Sequence, residues 1–111
     1  MAAYALWEDG RPLDKQEILE VVDGCMNERL ESIEERPRSR DARQLSLTCQ
    51  QVLYEVYHES RANGGIGDAE DVLRNENIKQ AIGRLPESVR QLARDILVCA
   101  HGRIAEASGE Q

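Results

Sequence analysis

The densest hydrophobic pattern in the chain lies between Arg43 and Ser60, RQLSLTCQQVLYEVYHES. Its apolar positions, Leu45, Cys49, Val52, Leu53, Val56 and Tyr57, recur at the i, i+4, i+7, i+8 spacing of a helix with one buried stripe. The pattern predicts a helix from near Ser39 or Asp41 to about Ala62, stopped by Asn63-Gly64-Gly65. Tyr54 falls beside the stripe, His58 on its polar flank and Leu47 off it altogether. Leu47 and Tyr54 are therefore candidate contact residues if they are exposed.

The same period appears on both sides of this segment. Upstream, Ile18, Leu19, Val22, Met26, Leu30 and Ile33 recur at helical spacing, with Val21 and Cys25 widening the stripe. Asp14 followed by Glu17 makes a capping box at its start, and Pro37 is expected to end it. Downstream, Asp68 caps a short helix with Ala69, Val72 and Leu73 inward, and Asn75 or Asn77 breaks it to start another. Ile78, Ala81, Ile82 and Leu85 form the stripe of that next helix. Pro86 fits the first turn of the last one, whose inward positions are Val89, Leu92, Ala93, Ile96, Leu97, Ala100 and Ile104. Residues 1–12 have no helical period, and Asp9-Gly10 with Arg11-Pro12 is turn chemistry. The expected architecture is all-α: an irregular N-terminal arm over 1–12, a single helical domain of four to five helices over 13–107, and a frayed tail over 108–111.

Composition changes this picture in two respects. Leu, Ile and Val make up 25 of 111 residues and Phe is absent, so the core is small, and self-association is an expected supplement. The net charge of −7 is uneven: residues 1–36 carry ten acids and four bases. Glu17, Glu20, Glu28, Glu31 and Glu35 share the outer face of the first predicted helix, either as a solvated surface or as a docking strip for a basic partner. An acidic domain lacks the clustered cations that phosphate neutralisation requires, so direct nucleic-acid binding is not expected. The four arginines of RPRSRDAR, 36–43, read as a connecting loop that neutralises nearby carboxylates. The N-terminus has neither the cationic start nor the apolar run of a signal peptide, and no segment is long and apolar enough to span a membrane. Cys25, Cys49 and Cys99 are odd in number, far apart and without a CxxC pair. They read as reduced thiols serving as small apolar residues in a cytoplasmic protein.

The chemistry-bearing residues do not assemble into a motif. Cys99 and His101, two apart, point different ways on a helix, and structural zinc calls for paired close spacings. The Gly64-Gly65-Ile66-Gly67 run follows no predicted strand and carries no Lys-Ser/Thr, so it fails as a phosphate loop. The segment 81–97, AIGRLPESVRQLARDIL, resembles the opening of the sigma-factor region that leads into a helix-turn-helix. No turn or recognition helix follows it, which excludes DNA binding on that ground. No catalytic, cofactor or metal residue is therefore assigned, and the chain is not read as an enzyme.

What remains is a regulatory protein that binds another protein. Tyr4, Leu6 and Trp7 in the arm hold half of the aromatic residues and are the first candidate anchors for a partner or a homodimer, with Leu47 and Tyr54 beside them. Two alternatives stand alongside: an acidic phage-type inhibitor imitating nucleic acid, and a small helical enzyme or ligand-binding domain whose site assembles only in three dimensions. In size, in its acidic and Arg-rich balance, and in helices such as DKQEILEVVDGCMNERLESI and RQLSLTCQQVLYEVYHES, the chain resembles the QslA family, small quorum-sensing antiactivators of Pseudomonas. That resemblance implies a homodimer that binds LuxR-type transcription factors such as LasR and blocks their dimerisation and DNA binding.

Overall fold

In the computed structural model the residues described are 7–8, 11–12, 14–34, 36–60 and 69–107, and they form an all-α bundle of five helices. The arm, expected to be irregular or briefly extended, is extended at two short stretches. Strand β1, Trp7–Glu8, pairs antiparallel with β2, Arg11–Pro12, matching Trp7 to Pro12 and Glu8 to Arg11.

Helix α1, Lys15–Glu31, opens on the capping box expected of Asp14. The Asp14 carboxylate accepts from the Glu17 N–H at 2.8 Å, and the Asp14 N–H donates to the Glu17 carboxylate at 3.0 Å. Two of the orphan N-terminal donors are thereby satisfied without tertiary help. The helix stops at Ser32 rather than running to Pro37, leaving Ile33 outside it and half-buried. Both the N–H and the hydroxyl of Ser32 donate to the Arg29 carbonyl, each at 3.0 Å. This local alternative to the helical ladder ends α1 ahead of the proline.

Helix α2, Ser39–Ser60, buries its whole predicted stripe: Leu45, Cys49, Val52, Leu53, Val56 and Tyr57 are each at most 5% exposed. Helix α3, Ala69–Arg74, is followed at once by α4, Glu76–Gly83. The Asn75 side chain divides them, accepting from the N–H groups of Asn77 and Ile78. The far end of α4 is secured from the next helix, where the Arg90 guanidinium donates to the carbonyls of Gly83 and Leu85. Pro86 stands immediately before α5, Glu87–Ala107, and its carbonyl accepts from the Val89 N–H. Val89, Ala93, Ile96, Leu97, Ala100 and Ile104 of α5 are all buried.

The helices assemble around α5 and α2. Helix α1 packs on both, α3 lies on α5, and α4 bridges α2 and α5. The α1–α2 seam includes a hydrogen bond from the Ser46 hydroxyl to Asp23 and one from the Gln50 amide to the Lys15 carbonyl. Within the core the Tyr57 hydroxyl and His101 Nδ1 lie 2.9 Å apart, linking α2 to α5. Burial pushes the Tyr57 phenol upward in pKa, so it stays protonated and available as a donor.

One expectation from the cysteines is overturned. Cys25 of α1 and Cys99 of α5 form a disulfide, with Cα atoms 6.1 Å apart. They are 74 residues apart, so only the packing of the two helices brings them within bonding geometry. Cys49 alone keeps the expected role of a buried apolar thiol, and burial pushes its pKa up to about 12.

Candidate protein-docking groove

The residues of α2 that face away from its core stripe make one wall of a groove, and α4 makes the other. Arg40, Gln44, Leu47, Gln51 and Glu55 follow one another at three- and four-residue steps along α2, so they share a face, with Arg43 and Thr48 at its margins. Across from them stand Asn77, Gln80 and Arg84, and the floor is closed by Val52, Ala81 and Leu85. The trough has a volume of about 640 Å³. Leu47 is 46% exposed, and it is the one large hydrophobic residue exposed among those described.

Cationic side chains line this groove, although Arg29, Arg36, Arg38 and Arg94 elsewhere likewise make no ion pair among the described residues. Among the described residues, Arg40, Arg43 and Arg84 line the groove against a single carboxylate, Glu55. Glu55 already accepts a hydrogen bond from the Gln51 amide at 2.7 Å. None of the three guanidinium groups makes an ion pair or hydrogen bond among the described residues. Elsewhere, Arg74 pairs with Glu70 and Asp71, Lys79 with Glu76, and Arg103 with Glu28. The segment 36–43 is thus not a neutralising loop throughout: from Ser39 onward it is helical, and two of its arginines turn to the groove. The signal was present in the sequence as the spacing of Arg40, Arg43 and Leu47, one turn apart, but the contribution of Arg84 from α4 depends on the fold.

The other anticipated contact residues are scattered. Tyr4 and Leu6 lie outside the described residues, as does Glu35; Trp7 is described only as backbone in β1. Tyr54 is half-buried on the flank of α2 that meets the start of α1. Its ring lies 4.4 Å from that of His58, and the Lys15 ammonium sits 5.1 Å from its centroid, so it is occupied within the chain. Of the two, Leu47 lines the groove and Tyr54 does not. Of the acidic residues, Glu17 is held in the α1 capping box and Glu28 is bonded to Arg103. The Arg103 guanidinium, through that hydrogen bond and its charge, holds the Glu28 carboxyl below its ordinary pKa. Glu20 accepts from Gln16, and Glu31 is exposed beyond it. His58 is exposed on the surface and His101 is buried in the core. Among the described residues no group of three or more His, Cys, Asp or Glu gathers in a metal-binding arrangement.

No family model, no curated protein and no solved structure matches the chain.

Proposed function

We propose that this protein is a regulator that acts by binding another protein, and that the α2–α4 groove is its docking surface. The observation that carries the reading is Leu47, an exposed aliphatic side chain flanked by arginines that pair with no carboxylate among the described residues. An apolar anchor within a polar, charged rim is the usual anatomy of a recognition surface. The likeness to quorum-sensing antiactivators supplies the form of the regulation. Docking would cover the dimerisation face of a LuxR-type transcription factor such as LasR, so that the factor no longer binds DNA. Among the described residues no helix is long and apolar enough to cross a membrane. A homodimer joined through Tyr4, Leu6 and Trp7 belongs to the same proposal and is tested by sedimentation of a Leu6→Ala/Trp7→Ala variant.

The test is to mix the full chain with purified LasR and measure the mass of the complex and its DNA binding. The expected result is a stable complex, released DNA and weakened binding for Leu47→Ala. No complex, with DNA binding untouched at excess protein, overturns the antiactivator reading.

A further inference from the structure

We infer that the groove takes an acidic amphipathic helix of a different protein, which lays an aliphatic side chain against Leu47 and its carboxylates on Arg40, Arg43 and Arg84. The inference rests on the protein-binding reading above and narrows it to one partner chemistry. Its first support is shape. Two helices and the Leu85 corner leave a trough, and a third helix fits such a trough by placing residues at i, i+3, i+4 and i+7 along it. The lining is apolar at its floor, in Val52, Ala81 and Leu85, and hydrogen-bonding along its sides, in Gln44, Gln51 and Gln80.

Charge is the second support. In a chain of net charge −7, three guanidinium groups converge on one trough whose only acid among the described residues is already bonded. Carboxylates spaced one helical turn apart on a partner would meet this row with forked hydrogen bonds. A phosphate backbone would match the cations but would bring nothing apolar to Leu47, and it would meet repulsion from the acidic remainder of the protein.

A second copy of the chain fits poorly, for two reasons. A two-fold contact through this face would set each arginine row against its own image. In a head-to-tail contact the acidic face of α1 would supply carboxylates, but the described residues of a second copy offer no exposed large apolar side chain besides Leu47 itself. The described residues of a second copy thus do not supply both features, and a different protein is the occupant inferred.

The probe is a lactam-stapled helical peptide with Leu at i, i+4 and i+7 and Glu on both flanks. Two matched peptides carry Lys for every Glu, or Ser for every Leu. Binding to the full chain is followed by fluorescence anisotropy, with circular dichroism confirming that each variant keeps its helices. The Glu peptide is expected to bind at least tenfold more tightly than either control and to weaken as salt is raised. Leu47→Ala should lower its affinity about tenfold. The triple variant Arg40→Glu/Arg43→Glu/Arg84→Glu should exchange the preference, now taking the Lys peptide. Equal binding of the Glu and Lys peptides, or no binding of any, overturns the inference. So does concentration-dependent self-association that Leu47→Ala abolishes, or binding of a DNA duplex that the triple variant loses. A protein complex indifferent to both variants leaves the broader binding reading standing and removes only this one. A selective peptide response with no LasR complex does the reverse for the antiactivator.

Discussion

The α1–α5 seam and the α2–α4 groove are both junctions between helices of one bundle, and both contain arginine, glutamate and aliphatic residues. They are finished in opposite ways. At the seam, the Cys25–Cys99 bond joins the helices covalently, and Arg103 of α5 reaches across to Glu28 of α1. Gly24 lies directly under that arginine, where an added Cβ would come to ordinary contact distance, 3.5 Å, from Nη1. At the groove, Arg40, Arg43 and Arg84 have no such partner among the described residues, and Leu47 is left in water. The comparison shows that residue type does not decide whether a charged helix face is closed or open. What decides it is whether the neighbouring helix presents a carboxylate at the right height.

The largest effect expected from breaking this contrast lies at the seam. Removing the cross-link, by Cys25→Ala/Cys99→Ala or by a dithiol reductant, releases a loop spanning 74 residues. Urea unfolding should show a loss of about 4 kcal/mol if loop-closure entropy in the unfolded chain is the main contribution. An unchanged midpoint would mean that the seam is held by packing alone. A thiol titration sharpens the same point. The native protein should react at no cysteine, because Cys49 is buried with a pKa near 12, and the unfolded, unreduced protein should react at one. Three reactive thiols would show the cross-link absent.

Next in size is the contrast between buried and exposed aliphatic side chains. Ile18→Ala, at a fully buried α1 position against the core, should cost about 3 kcal/mol by urea unfolding. Leu47→Ala should change stability by no more than about 0.5 kcal/mol. If Leu47→Ala destabilised the fold as strongly as Ile18→Ala, the groove wall would be core and its role in docking would be lost.

The smallest effect is electrostatic. The Glu28 carboxyl is held below its ordinary value of 4.5 by Arg103, so the folded state is favoured when Glu28 is ionised. That contribution is present above about pH 4.5 and disappears as pH falls through the lowered value. The difference in urea midpoint between the native chain and Glu28→Gln should therefore be small at neutral pH and shrink to nothing in strong acid. Glu28 is exposed, so screening keeps the difference small, and added salt should reduce it further. A difference that grows on acidification would contradict the pairing.

Much of the local structure could be read before any contact was known. The Asp14 capping box and the stripes of α2 and α5 all stand where periodicity and end signals put them. Ser32, rather than Pro37, ends α1, because a short side chain hydrogen-bonding to its own backbone leaves no mark in a hydrophobic pattern. The groove was half legible. Leu47 stood out as a residue off its stripe, and Arg40 and Arg43 were visible but were assigned to a loop. Tyr54, singled out with Leu47, is drawn instead to Lys15 and His58.

The sequence by itself determined which residues form helices and which face of each turns inward, because both follow from a repeat of 3.6 residues and from caps that act within one turn. Tertiary structure decided which flanks meet. Cys25 finds Cys99 and Tyr57 finds His101 across 74 and 44 residues, and Arg84 joins Arg40 and Arg43 from another helix. A side chain on a helix flank can face either a neighbour or solvent with the same local pattern. Only the packing of the helices selects between them.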